Sequence, residues 1–312
     1  MINGIISQIK LIILGLIFCC LFNFQYAAAA ACCARNSAVP VLIVGEDEAQ
    51  FNFGMSLGAV VAEVCDEGIP VFGSPETSEI NQLYRLEGAL LLSDRFQVGM
   101  SLNGVNHRIT KPARTDSQLG IGDTRISLGY EYLPSWTYSS WKPQGFLFSV
   151  LTFPTGRSSY EFESLTAADV TGNGFYSVSI GSLLIKRWTV WDVFMVPEVH
   201  YSLPRTFKIG EVEPGFGGSI GFGVGMSPWE GNFRLGLRVQ PRVDQSRYIA
   251  FRNSDLSRGI LANCDTGLDI AYLVTSNDTL MISYIDQTLL GPAINSNLSR
   301  VFGLNFQHRW ER

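Results

Sequence analysis

His200-Tyr201-Ser202 sets an imidazole and a hydroxyl two residues apart. On a β-strand that separation puts both side chains on one face, where such a pair can act as general base and nucleophile. Arg234, Arg238 and Arg242 recur at intervals of four, so a strand would also align them in a column of positive charge. In a confined space a column of that kind draws anions. The run GFGGSIGFGVG at 215–225 has the glycine density of a phosphate-cradling loop, but no three of its glycines have the G-x-G-x-x-G spacing. His107, His200 and His308 lie far apart in sequence and no C-x-x-C occurs. The sequence therefore predicts neither a metal site nor a cofactor.

The elements that would position these groups begin after a leader. Lys10, the apolar stretch LIILGLIFCCLF and a run of alanines ending at Ala31 have the three parts of a secretory signal peptide over 1–31. The apolar stretch is shorter than the ~20 residues of a spanning helix. Cleavage leaves Cys32, Cys33, Cys65 and Cys264. Lipid attachment at Cys32 is one reading of Ala29-Ala30-Ala31-Cys32, and ordinary cleavage among the alanines is the other. The formal net charge of -5, with no basic cluster, argues against a nucleic-acid partner.

Beyond residue 45 the dominant period is two. Phe51, Phe53, Met55, Leu57, Ala59 and Val61 alternate with Asn52, Gly54, Ser56 and Gly58. The same alternation recurs in twelve stretches: 50–64, 82–93, 96–108, 120–132, 144–153, 174–186, 189–201, 213–227, 232–243, 265–274, 278–286 and 299–310. Most reach the ~9–11 residues of a tilted membrane-crossing strand. Connections alternate short and long, with a middling one at 133–143. The tryptophans Trp136, Trp141, Trp188, Trp191, Trp229 and Trp310 gather at the short turns. Short periplasmic turns, long outer loops and aromatic belts belong to outer-membrane barrels. A soluble sandwich also alternates, but it would bury its apolar face and leave the other one strongly charged. The fold expected is all-β, a transmembrane antiparallel up-and-down barrel of about twelve strands over 50–312. Residues 32–49 precede it as a short periplasmic segment or a plug in the lumen, with VPVLIV at 39–44 as the plug's core.

The phase then gives directions. Arg85, Glu87, Asp123, Arg125, Glu131, Glu198, His200, Arg234, Arg238, Arg242 and Asp269 are expected to line the lumen. They form either a field that selects anions or a static network in which Arg234, Arg238 and Arg242 pair with Glu87, Glu131, Glu198 or Asp269. Cys65 and Cys264 fall at outer strand ends, where exported proteins can join such a pair as a disulfide. The glycines of 215–225 also face inward, as a bare wall or as room for Arg234 and Arg238 to lie across it.

LGIGDTRISLGYEYLP (119–134) followed by GFLFSVLTFPTGRSS (145–159) resembles the outer-membrane proteins grouped with the meta-pathway phenol-degradation family. Gly122-Asp123-Thr124 and Pro154-Thr155-Gly156 carry the resemblance over about forty residues. It implies a barrel associated with uptake of aromatic or other hydrophobic compounds. His200 and Ser202 have the spacing found in outer-membrane phospholipase A, a twelve-stranded barrel whose pair faces lipid, whereas here the phase turns both inward. The expected function is a non-enzymatic outer-membrane channel or transporter for a small hydrophobic or anionic solute. The alternatives are a lipid hydrolase using His200 and Ser202, or a non-conducting barrel that binds through loops 154–173 or 244–264. Expected partners are outer-membrane lipid, the solute and the barrel-assembly machinery. The chain ends Trp310-Glu311-Arg312, whereas a terminal aromatic is the usual assembly signal.

Overall fold

The structure, a computed structural model, describes residues 40–312 apart from 75, 137, 209, 229–231, 246, 251–254 and 292, and only the backbone at 247–250 and 255–258. The leader, Cys32, Cys33 and Trp229 lie outside the described residues.

Twelve long antiparallel strands form the wall: β1 (Asp47–Val64), β3 (Ser78–Leu91), β4 (Phe96–Lys111), β6 (Thr124–Leu133), β7 (Gln144–Phe153), β8 (Ser177–Arg187), β9 (Trp191–Ser202), β12 (Gly215–Met226), β13 (Phe233–Asp244), β16 (Leu261–Leu273), β17 (Asp278–Asp286) and β18 (Asn297–Glu311). Each pairs with its neighbours in chain order. β18 returns to β1 in a register running from Asp47 opposite Glu311 to Glu63 opposite Asn297, which closes the barrel. Closure removes the unpaired edge, which a bilayer would not tolerate.

Phe51, Phe53, Met55 and Leu57 are exposed on the outer face while Gln50, Asn52 and Ser56 are buried. The same alternation is clear on β12, where Phe216, Ile220, Phe222 and Val224 point out. A continuous apolar outer face on a closed barrel is the surface that lipid solvates. The ladder between β12 and β13 skips a step at Pro241, and that between β8 and β9 skips one at Pro197. A proline has no N–H to contribute there.

The chain's short connections, 92–95, 134–143, 188–190, 227–232 and 274–277, share one end with the start of β1 and the finish of β18. At the other end the long connections carry strands of their own, which the sequence reading treated as loops. β2 (Pro70–Phe72) pairs with the top of β1, and β5 (Arg114–Ile121) with the top of β4. β10 (Arg205–Phe207), β11 (Gly210–Glu213), β14 (Arg247–Ala250) and β15 (Asp255–Arg258) form a separate four-stranded sheet. Beneath it Phe175, Phe207 and Val212 make a small buried core with Tyr160.

Candidate functional site in the barrel lumen

The lumen wall carries an apolar patch and a set of charged residues. In the half nearer the short turns, inward positions of β7, β8 and β9 are apolar: Phe146, Phe148, Val150, Leu183, Ile185 and Val196 are all buried. They pack around Leu42 and Val44, while Val41 and Ile43 lie against Ala89 and Leu91 of β3. The stretch preceding the first strand thus runs inside the wall. Gln97 of β4 clamps it: its Oε1 accepts from the Ile43 N–H at 2.6 Å and its Nε2 donates to the Ile43 carbonyl at 3.3 Å. Small residues make the room, since a Cβ on Gly129 would come within 2.8 Å of Leu42 and one on Gly99 within 3.4 Å of the Val41 carbonyl. Of the interiors the sequence leaves open, a polar water-lined face and one covered by the preceding segment, this half has the second: its inner strand faces have chain, not water, to cover.

The charged set runs along the rest of the inner face, from Asp192 and Arg234 at the short-turn end to Asp244 at the loop end. Arg234 is buried; its Nε and Nη2 donate to the two carboxylate oxygens of Asp192 and its Nη1 to Asp269, all at 2.7 Å. The bidentate fork on one carboxylate and a single bond to the other use the guanidinium's planar geometry. Arg242 Nε reaches Asp244 at 3.1 Å, and the His200 Nε2 atom lies 2.9 Å from the other oxygen of the same carboxylate. Arg85 and Glu87 approach to 3.6 Å along β3.

Of the expected lining set, then, Arg234 and Asp269 meet directly, as do Arg85 and Glu87. Asp192 and Asp244, the partners that complete the other pairs, were missed. Both face inward by the same phase, but each sits at a strand end where the alternation is poorly bounded. Glu198 is buried, with Oε2 3.5 Å from Ser219 and Oε1 without a hydrogen-bond partner. Arg125 Nε and Arg238 Nη2 are also buried without an acceptor. Glu131 stands apart at the barrel's short-turn end, accepting from Gln144 at 2.8 Å.

Asp123 has a different task from lining. Its Oδ1 accepts from the Gly156 N–H at 3.2 Å and its Oδ2 from the Asn173 N–H at 2.7 Å. Thr155 donates to the Gly122 carbonyl at 2.6 Å. The two short motifs that carried the family resemblance therefore meet in space and fasten both ends of loop 154–173. Gly156 and Gly172 are pressed together there, with a Cβ on Gly156 only 2.7 Å from the Gly172 Cα. Within the loop, Asp169 is buried yet accepts from the backbone of Glu163 and Ser164 and from Arg157 at 2.8 Å. Burial alone would raise its pKa, but these donors outweigh it and hold the carboxyl well below the usual range.

A depressed folded-state pKa stabilises the loop above the ordinary Asp value of about 3.9, and the effect fades only as pH falls through the lower folded value. Wild-type protein is therefore expected to keep loop 154–173 closed to trypsin at Arg157 from neutral pH down to about 4. Asp169→Ala, which removes charge-assisted bonds of roughly 1.5–3 kcal/mol, should be cut there at neutral pH. Equal resistance of the two proteins would show that Asp169 does not hold the loop.

Among the described residues no hydrogen bond joins His200 to Ser202: the His200 Nε2 lies 2.9 Å from Asp244, and the Ser202 Oγ lies 2.9 Å from Ser177 Oγ. Ser202 is buried on the inner face, away from lipid. The proposed disulfide is not formed either: Cys65 is an exposed free thiol in the turn after β1, and Cys264 is a free thiol buried within β16.

The inward glycines of β12 have a use the sequence half revealed. A Cβ on Gly225 would fall 2.3 Å from the Arg234 guanidinium and 2.4 Å from Asp192. One on Gly223 would strike the Phe194 ring, and one on Gly217 would meet His200 and Asp244. Arg234 lies across this wall as expected. Arg238 turns the other way, over Gly267 of β16.

Fold and lumen together define a transmembrane β-barrel of the outer-membrane type. No protein-family profile and no curated protein matches the chain. Among solved structures it is similar to an outer membrane channel from Pseudomonas putida F1, with a TM-score of 0.63 at 12% identity over 86% of this chain and 97% of that one. It also aligns with the translocator domain of the autotransporter NalP from Neisseria meningitidis (TM-score 0.46, 8% identity, 84% and 88% covered). A third is the CymD monoaromatic hydrocarbon channel (TM-score 0.42, 11% identity, 86% and 90% covered). At these identities the likeness is one of fold. The first of these shares the fold expected from the resemblance of 119–159.

Proposed function

We propose that the protein is an outer-membrane channel for a small solute, held closed by its own segment 40–44. The observation that carries this reading is the placement of Val41–Val44 inside the wall, against apolar positions that would otherwise face the lumen. A barrel that serves only as a scaffold can fill its interior with side chains from its own strands. Here the filling comes from a segment that contributes nothing to closure, since β1 pairs with β18 without it. The segment is therefore separable from the wall.

The make-up of the inner face suggests the kind of solute. Arg125 Nε and Arg238 Nη2 are buried without acceptors, in a lumen that also carries an apolar patch. A small molecule with an apolar body and an anionic or accepting group would satisfy both, and it agrees with the hydrocarbon uptake that the family resemblance implies.

Planar-bilayer recording separates this reading from a non-conducting barrel. Mature protein is expected to conduct rarely, and protein lacking residues 34–46 to conduct steadily, with at least a tenfold gain in mean current. Folded deletion protein that stays silent would overturn the channel reading.

A further inference from the structure

On the outer face of the barrel an apolar groove of about 580 Å³ crosses five neighbouring strands. Its volume is that of a ligand pocket, roughly 300–1,000 Å³, on a surface that is otherwise convex. Lys186 and Leu184 open it on β8; Met195 on β9, Phe222 and Val224 on β12, and Val239 on β13 continue it, and it ends at Thr266 of β16. Its path crosses the strands along two ladder rows, Lys186–Val193–Val224–Leu237 and Leu184–Met195–Phe222–Val239–Thr266. It starts at Lys186, next to the short-turn end of β8 at Arg187, and reaches Thr266 well inside β16, which ends at Leu273. Barrel strands tilt by roughly 35–45°, so a row across them climbs from the interface towards the middle of the bilayer.

The rim of the groove is polar and basic. The turn 134–143 folds over its mouth, with Pro143 in the lining. The Lys186 ammonium donates to the Ser139 carbonyl at 2.6 Å and to the Lys142 carbonyl at 3.0 Å, which leaves its third N–H to spare. The Lys142 ammonium lies 3.8 Å from the centre of the Trp136 ring, and Trp188 donates to the Ser140 carbonyl at 3.0 Å. Two lysines thus sit among tryptophans at the level where headgroups lie, and among the described residues none that lines the groove is acidic.

We infer that this groove is a binding site for a single anionic phospholipid of the periplasmic leaflet, with an acyl chain along Met195, Val224 and Val239 and the phosphate at Lys186. An apolar channel running from the interface to mid-membrane, with cations at the interfacial end, has the polarity order of a lipid molecule. The side chains along it gain by covering a chain that stays in place, while elsewhere on the wall Phe216, Ile220 and their neighbours meet exchanging lipid. The site is independent of the lumen and does not depend on the channel reading.

Native mass spectrometry of the delipidated full barrel, with phosphatidylglycerol or phosphatidylethanolamine added back, tests it. Wild-type protein is expected to retain one phosphatidylglycerol at least tenfold more strongly than further copies, and more strongly than phosphatidylethanolamine. Val224→Trp fills the groove and should abolish that preference for the first lipid; Phe216→Trp, on the same face of β12 but outside the groove, should keep it. Lys186→Gln should bring the two lipids to equal retention. Heat-modifiable migration on gels establishes that each variant is folded. Retention unchanged by Val224→Trp, equal loss with Phe216→Trp, or no headgroup preference in wild type would overturn the assignment.

Discussion

Arg234→Met is expected to destabilise the barrel by about 3–5 kcal/mol, the usual cost of removing one member of a buried ionic cluster. The substitution leaves Asp192 on β9 and Asp269 on β16, which Arg234 had joined across β12 and β13, both buried and both deprived of its donors. The aliphatic stem is kept, so lost packing is a small part of the effect. Urea unfolding in lipid vesicles, followed by tryptophan fluorescence or by heat-modifiable migration, reads the change. The triple variant Arg234→Met, Asp192→Asn, Asp269→Asn should regain most of the loss, because neutral amides leave no buried charge unpaired. A single variant as stable as wild type would show that the carboxylates find other partners. Gly225 and Gly236 belong to the same device: a Cβ on either would enter the space of this cluster.

That cluster shows how far the sequence could be read. Arg234 and Asp269 were assigned inward by strand phase, and the structure joins them. Phase alone cannot say that Asp192, 42 residues earlier, closes the pair, because strand order brings β9 within reach of β13 only across the bare backbone of β12. The glycines were legible as a wall without side chains, but what they make room for was not. The twelve strands themselves were legible, since an apolar lipid-facing side imposes a period of two on every one of them. Their outer extensions, β5 above all, and the four-stranded sheet at the loop end were not: there no membrane enforces the alternation. On β7, Phe146, Phe148 and Val150 face inward while Leu147 and Leu151 face out. Both faces are apolar, so the stretch 144–153 signals a strand covered on both sides. That was the available sign that VLIV at 41–44 goes inside, and it was readable only by setting one segment beside the other.

In the proposed closed channel, segment 40–44 is held by two forces of different size, and point variants separate them. Gln97→Leu removes both hydrogen bonds to the Ile43 backbone. At roughly 0.5–1.5 kcal/mol for each bond, the open state should gain about 5- to 150-fold relative to the closed one. Leu42→Asp acts on the larger force. It would place a carboxylate among Phe146, Phe148, Leu183 and Val196, at a cost of several kcal/mol that the segment escapes by leaving the lumen. Released this way, the channel should be open nearly all the time in planar bilayers, with a current close to that of the chain lacking 34–46. Closure of β1 on β18 does not involve Leu42 or Gln97, so both variants should still show heat-modifiable migration. The ordering is the test: Leu42→Asp above Gln97→Leu above wild type in open probability. If Gln97→Leu opens the channel as fully as Leu42→Asp, the clamp and not the apolar floor holds the segment, because two hydrogen bonds would then outweigh the burial of four side chains.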